Sequence, residues 1–177
     1  MRRGQKTISD LGLGNVRLRQ MNVLEVDEGF GEFDYIIAHG LYSWTPVAVR
    51  DKILAIARAH THRQGVAFVS YNTMPGGHVR TMVREMMLHH IGGAEDPAIH
   101  LEKARELLRL IAMGRPEPDT LEAAVATYAV ELLERTDSAL YHDDLCDIYE
   151  PVYFHEFAAH AAGHDLQYLG EANPQEA

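Results

Sequence analysis

The chain has 177 residues, of which 46% are hydrophobic and 24% are charged. This supports one domain, or a domain and a half, around a real hydrophobic core. The 16 Lys and Arg residues stand against 26 Asp and Glu residues, for a net charge of -10 without a basic stripe, which disfavours direct nucleic-acid binding. One cysteine excludes an internal disulfide framework. Since no signal-like or membrane-spanning apolar run occurs, we expect a cytoplasmic protein without a membrane partner.

The first part of the chain predicts strands alternating with helices. A helix is expected to end within residues 6–14, and residues 16–21 to form a strand. The apolar run Phe33–Ala38 is typical of a parallel strand covered on both faces. An amphipathic helix is expected to start at the N-cap Thr45, and a second apolar strand to follow at 66–71. Strand, helix and strand of these lengths predict a βαβ unit.

The second part of the chain is predicted to be helical. Three amphipathic stripes lie between residues 78 and 135, the third opened by a capping box from Asp119 to Glu122. We interpret the methionines of the first stripe as core filler. Residues 136–150 look like an acidic connector, and Pro151 is expected to open a last helix, followed by a strand at 166–169.

Polar and aromatic side chains are concentrated directly after the first apolar strand. His39 and Tyr42 follow Phe33–Ala38, and ligands of open α/β sheets collect at the carboxyl ends of strands. His39 could act as a general base, or simply be a turn histidine bonded to backbone. Tyr42 and Trp44 could cage a cationic ligand, or staple the loop onto the next helix.

Three histidines near the end of the chain raise the question of a metal site. His155, His160 and His164 share one helical region, and the last two have the i, i+4 spacing that can bind zinc. The segment lacks the glutamate of an H-E-x-x-H motif. We interpret the pair as a solvated helix face and predict no metal site.

Four segments together resemble a known family: FDYIIAHGLYSWTP, VRDKILAIA, GVAFVSYNTMPGGHVRTMVREMML and YEPVYFHEFAAHAAGHDLQYLGEA. They are similar to bacterial class I S-adenosylmethionine-dependent methyltransferases that carry a helical methyltransferase regulatory domain. The resemblance implies an α/β fold, with a partial Rossmann-like parallel sheet followed by an all-helical regulatory layer. Its third, fourth and fifth strands would be residues 16–21, 33–38 and 66–71.

The resemblance also implies a division of the chain and a set of site residues. Residues 1–77 would belong to the methyltransferase core, 78–150 to the helical regulatory region, and 151–177 to a helix and strand that return to the core sheet. S-adenosylmethionine is the implied cofactor. Its implied binding residues are Asn22, His39, Gly40 and Leu41. The implied catalytic residues, which would face an unidentified methyl acceptor, are His39, Tyr42, Tyr71 and Asn72.

The sequence departs from the family at its beginning. Class I methyltransferases start with a strand and a G-x-G-x-G turn, then a second strand that ends in an acidic residue, and neither pattern occurs here. Gly12 and Gly14 follow a predicted helix. We therefore expect an N-terminally incomplete enzyme that binds cofactor weakly, or alternatively a non-catalytic regulatory or partner-binding remnant. The strand Phe33–Ala38 would then either pair with residues 16–21 or leave an open edge prone to association.

Overall fold

A computed structural model describes residues 1–93 and 95–172 of the chain. The mixed α/β class is confirmed, with a small parallel sheet followed by a set of helices. The helices are α1 (Arg2–Asp10), α2 (Val47–His60), α3 (His78–Ile91), α4 (Pro97–Ala112), α5 (Leu121–Glu134), α6 (Asp137–Asp144) and α7 (Phe154–Gly163). The strands are β1 (Phe33–Ala38), β2 (Thr61–Val69), β3 (Thr73–Met74) and β4 (Val152–Tyr153). None of the described helices is long and apolar enough to cross a membrane.

The predicted βαβ unit is present, but Pro46 rather than Thr45 precedes α2, without a side-chain cap, and the second strand spans Thr61–Val69 rather than 66–71. Strands β1 and β2 are parallel, with Tyr35 opposite Val66 and Ala38 opposite Val69, and α2 connects them. The Ser70 amide continues the ladder by donating to the Ala38 carbonyl at 3.1 Å. Glycine is needed at position 65, because a Cβ there would lie 2.7 Å from the Asp34 carbonyl oxygen. The two strands therefore end side by side, with their following loops adjacent.

Strand β1 is much less covered than its sequence predicts. The side chains of Tyr35 and Ile37 are 76% and 73% exposed, so the prediction of burial on both faces is wrong. Residues 16–21 form no strand, which makes the predicted third strand wrong as well. A strand exists only where a neighbour satisfies its backbone groups, and here β1 is hydrogen-bonded only to β2 among the described strands. Within residues 1–93 and 95–172, the other edge of β1 therefore has no strand beside it and is open.

The principal hydrophobic core lies among the helices from α3 onward. Its ten buried members come from the predicted stripes and the segment after them: Val83, Met87, Ile91, Ala104, Leu108, Val125, Ala129, Leu132, Leu140 and Leu145. Met87 is fully buried, as expected of core filler, whereas Met82 and Met86 are each 37% exposed. Apolar periodicity therefore located this core correctly.

The prediction of a connector at residues 136–150 is wrong, because this segment contains helix α6. Thr136 caps this helix by accepting a hydrogen bond from the Ala139 amide. Asp144 is fully buried, and its carboxylate pairs with Arg80 and Arg135, each at 2.9 Å. The acidic residues of this segment suggested that it is solvated. Asp144 can nevertheless be buried, because the guanidinium groups of Arg80 and Arg135 neutralise its charge.

The N-cap of α5 also differs from the prediction. Thr120, rather than Asp119, is the cap, and its hydroxyl accepts from the Ala123 amide at 3.2 Å. Asp119 instead takes a positive φ of 60°, so the predicted capping box is wrong by one residue. Asp tolerates this left-handed conformation better than most residues.

The end of the chain does not return to the main sheet. Strand β4 pairs in parallel with β3, opposing Val152 to Thr73 in a separate two-stranded sheet. Residues 166–169 form no strand, so the predicted return to the sheet containing Phe33–Ala38 is wrong. The Tyr168 ring packs on Phe154 at 4.9 Å, and the Leu166 amide donates to the Ala161 carbonyl. These contacts hold the segment against α7, which starts at Phe154 rather than at Pro151. The division at residues 77 and 150 stays a prediction.

Candidate functional site

The turn after β1 is anchored at the carboxyl end of both strands. Gly40 has a φ of 66°, which favours glycine, and its amide donates to the Ser70 hydroxyl at 2.9 Å. Ser43 is fully buried, and its hydroxyl accepts from the Asn72 amide at 2.8 Å. The Ser43 carbonyl accepts from the Glu150 amide at 2.8 Å. The turn is therefore fixed to the loop after β2 and to the segment before β4.

Asn72 occupies a central position in this network. Its carbonyl accepts from the Val152 amide at 3.0 Å, while its side-chain nitrogen Nδ2 is buried and has no hydrogen-bond partner within the described structure. A buried amide donor without a partner is costly. It is therefore the one predicted site residue with an unfilled hydrogen-bonding requirement that a ligand could meet.

Tyr42, Tyr71 and Phe157 form what we call the aromatic cluster. Tyr71 stacks on Phe157 with ring centroids 4.2 Å apart, and Tyr42 meets Phe157 edge-on at 5.1 Å. The Tyr42 hydroxyl lies 2.7 Å from Nδ1 of His160. Burial raises the pKa of both tyrosines, and Arg50, 5.7 Å from the Tyr42 ring centroid, opposes this at Tyr42. Both phenols are neutral at physiological pH and can donate hydrogen bonds, but they are poor bases.

Trp44 points away from this cluster toward the helices. Its indole nitrogen donates to the Asp143 carbonyl at 3.3 Å. The Arg80 guanidinium lies 5.7 Å from the Trp44 ring centroid and 5.0 Å from that of Tyr149. The cation beside this indole thus belongs to the chain itself. This favours the stapling interpretation, although the loop is stapled to α3 and α6 rather than to the next helix.

His39 and Leu41 stay on the outside of the turn. The exposed His39 ring stacks near Phe68, with centroids 6.1 Å apart, and Leu41 is 43% exposed. The predicted catalytic residues therefore divide into an exposed His39 and an inner group of Tyr42, Tyr71 and Asn72. The role of each stays a prediction.

Asn22 lies at the start of a 3₁₀ turn, Val23–Glu25. Its side-chain oxygen accepts from the Leu24 amide at 3.1 Å, which caps the turn. An open groove of about 670 Å³ lies between this turn, the next 3₁₀ turn (Glu28–Phe30) and α2. Its lining includes Glu25, Asp27 and Lys52. Sequence patterns did not indicate this groove, because the turns that line it have no apolar periodicity and only the fold brings them beside α2.

Sequence reasoning also missed the partner of the two histidines at the end of α7. Nε2 of His164 is 2.9 Å from Asp51 Oδ1, and Nε2 of His160 is 3.5 Å from the same oxygen. The side chains of His160 and His164 are only 29% and 19% exposed, respectively. The interpretation of this pair as a solvated helix face is therefore wrong. Their hydrogen bonds hold the pKa of the Asp51 carboxyl below its usual value. The i, i+4 spacing was the available signal, but nothing local pointed to Asp51 in α2.

Comparisons with known proteins agree with this architecture. Residues 136–177 match the model of a predicted methyltransferase regulatory domain. The structure superposes on PKMT2 from Rickettsia typhi in complex with AdoHcy with a TM-score of 0.82 and 38% identity, covering 95% of this chain and 32% of PKMT2. A second PKMT2 structure gives a TM-score of 0.78 and 34% identity, covering 98% of this chain and 34% of PKMT2.

Two curated relatives come from Rickettsia prowazekii. The uncharacterized protein RP789 is 37% identical over 95% of this chain and 31% of its own length. The uncharacterized protein RP028 is 38% identical over 87% of this chain and 62% of its own length. The chain thus spans about a third of RP789 and of PKMT2, and just under two thirds of RP028.

Fold and matches together define a protein related to class I methyltransferases. More particularly, its last 42 residues match the model of a predicted methyltransferase regulatory domain, and nearly its whole length aligns with a part of PKMT2.

Proposed function

We propose that this chain supplies cofactor-facing and acceptor-facing elements for methyl transfer from S-adenosylmethionine. The observation that carries the proposal is the turn at the carboxyl ends of β1 and β2, where Asn72 keeps a buried amide donor without a partner. Support comes from the similarity to PKMT2, whose structure holds AdoHcy. Since the chain spans only part of that protein, the activity of the whole enzyme is itself part of the proposal.

The residues of the site suit positioning better than chemical activation. The sulfonium of the cofactor activates the methyl group, so the protein's task is to align donor and acceptor and, for some acceptors, to remove a proton. Tyr42 and Tyr71 have raised pKa values, so near neutrality they are neutral hydrogen-bonding groups rather than bases. His39 is the exposed imidazole at this edge, and histidine is the side chain most often used as a general base. It is therefore our choice for the proton-accepting group.

A regulatory role is the second candidate, and a specific observation favours it. The place beside Trp44 that a ligand cation would take is occupied by Arg80 from α3. The turn is thus held by the helices that follow it. In this alternative the helices bind or regulate a methyltransferase rather than select an acceptor.

Binding of AdoHcy distinguishes the two candidates. Calorimetric titration of the purified chain should show binding weaker than that of PKMT2, because no G-x-G-x-G turn follows a strand in its sequence. We assign the unpaired side-chain donor of Asn72 to the cofactor, so Asn72→Ala should weaken binding about tenfold, equivalent to about 1.4 kcal/mol. His39→Ala should weaken it less, since His39 is assigned to proton removal.

The control is His62→Ala. His62 is also an exposed histidine, but it lies near the amino-terminal end of β2, so its removal should leave binding unchanged. Wild-type affinity in the Asn72 variant would contradict the assignment of the site. Absence of AdoHcy binding by the wild-type chain, under conditions in which PKMT2 binds, would favour the regulatory role.

A further inference from the structure

Three potential metal ligands converge between two helices outside the proposed methyl-transfer residues. Asp51 lies in the second turn of α2, and His160 and His164 lie in the last turn of α7 and directly after it. One ligand atom from each of the three residues falls within 4.8 Å of the others. More than 100 residues separate Asp51 from each histidine in the chain. The cluster is therefore produced by the tertiary packing of α7 on α2.

Two of the three separations between ligand atoms are close to those of a zinc site, and the third is within 4.8 Å. Bonds of about 2.0–2.1 Å at tetrahedral angles place neighbouring ligand atoms about 3.3 Å apart. Asp51 Oδ1 is 2.9 Å from Nε2 of His164 and 3.5 Å from Nε2 of His160. Side-chain adjustments of a few tenths of an ångström would bring both separations to the required value.

The three side chains fit together better as ligands of a metal ion than as partners in a hydrogen-bond network. The two imidazoles approach the same carboxylate oxygen, and the 3.5 Å separation from His160 is long for a hydrogen bond. A divalent ion equidistant from all three ligand atoms would satisfy each of them in full. Two imidazoles and one carboxylate form a ligand set that zinc sites use, with the fourth position open to water.

The ring of His160 is already oriented for such binding. Its Nδ1 atom faces the Tyr42 hydroxyl at 2.7 Å, which leaves Nε2 directed at the cluster. Metal-ligating histidines typically engage their second nitrogen in this way, which fixes tautomer and ring orientation. Asp51 is 60% exposed at its side chain, whereas the histidines are 29% and 19% exposed. An ion can therefore enter from the Asp51 side and be held against a partly buried wall.

We propose that Asp51, His160 and His164 form a zinc site that links α2 to α7. This proposal differs from the sequence prediction of no metal site, and it includes Asp51, a ligand that the sequence could not indicate. Zinc bound here would hold α7 against the aromatic cluster through His160 and Tyr42. Its binding does not depend on methyl transfer.

The test uses the full chain, purified without a histidine tag and dialysed against EDTA. Titration with zinc chloride, read by calorimetry and by competition with a chromogenic chelator, should give one ion per chain. Asp51→Asn and His164→Ala should each lower the affinity at least about tenfold, because each removes one of three ligands. Zinc at a concentration that saturates the wild-type chain should raise its Tm more than that of these variants.

Two matched variants serve as controls. His155 lies exposed on the same helix outside the cluster, and Asp147 is an exposed aspartate elsewhere. His155→Ala and Asp147→Asn should bind zinc as the wild type does. Asp51→Asn changes an exposed side chain to one of the same shape, so it provides the decisive comparison even if His164→Ala folds poorly. Wild-type zinc affinity in Asp51→Asn, or an equal loss in His155→Ala, would overturn the proposal.

Discussion

The sheet region (residues 1–77) and the helical region (78–145) differ sharply in how they bury apolar side chains. In the helical region Leu108, Leu132 and Leu140 are all fully buried. In the sheet region Tyr35 and Ile37 on the central strand are more than 70% exposed, yet the polar turn follows that same strand. The principal hydrophobic core therefore lies in the helical region, whereas the candidate chemistry lies in the sheet region, directly after a strand with exposed apolar side chains.

Substitution in the helical core should give the largest effect. Leu108→Ala should lower the free energy of unfolding by about 3 kcal/mol, through lost burial and the cavity left behind. Leu110 lies on the same helix but is 68% exposed, so Leu110→Ala should stay within about 0.5 kcal/mol. Urea denaturation measures both. If Leu108→Ala lost less than about 1 kcal/mol, the helical region would not be the stable part.

Breaking the buried ion pair between Arg80 and Asp144 should lower the free energy of unfolding nearly as much as Leu108→Ala does. Arg80→Met leaves the fully buried Asp144 with only Arg135 as a partner, and stranding a buried charge costs about 3 kcal/mol. Burial raises the pKa of Asp144, which favours the protonated carboxyl in the folded state. The loss should therefore shrink as pH falls and Asp144 becomes neutral. Urea denaturation across a pH series measures this.

Arg84→Met is the control for that pH dependence. Arg84 lies one turn further along α3 and also contacts Tyr149, but it donates to the Cys146 carbonyl instead of pairing with Asp144. Its replacement should cost less, and the cost should not diminish at low pH. Identical pH profiles for the two variants would refute the role assigned to Asp144.

The smallest effect on stability, with the clearest effect on association, is expected at the open edge of β1. We propose that this edge pairs with a second copy of the chain, since unpaired strand edges template association. Ile37→Lys should reduce concentration-dependent dimerisation in sedimentation experiments and change stability by less than about 0.5 kcal/mol. Leu110→Lys, at a similarly exposed site in the helical region, should leave dimerisation unchanged. Equal effects of the two lysines would argue against the strand edge.

The sequence predicted those features whose signal is local. Continuous apolar runs located β1 and β2, and helical periodicity located the residues that form the helical core, such as Met87 and Leu108. The general rule for strand ends brought Tyr42, Tyr71 and Asn72 to one place correctly.

Features that depend on a distant partner were missed. Residues 16–21 and 166–169 have strand-like composition but lack a neighbouring strand, so their backbones take other partners or remain exposed. Asp144 looked solvated because Arg80 lies far away in the sequence, and Asp51 gave no sign of its histidines for the same reason. The sequence shows which side chains are charged, but only the folded structure shows which partners neutralise them.

Trp44 is the single tryptophan of the chain, and it lies where the turn after β1 meets α3 and α6. Its indole contacts the Asp143 carbonyl, the Arg80 guanidinium and the Tyr149 ring. Ultraviolet excitation of this one residue therefore reports on the junction between the two regions without any label. Separation of the helices from the turn would expose the indole to water and shift its emission to longer wavelength. The intrinsic fluorescence of Trp44 therefore reports whether the two regions remain in contact.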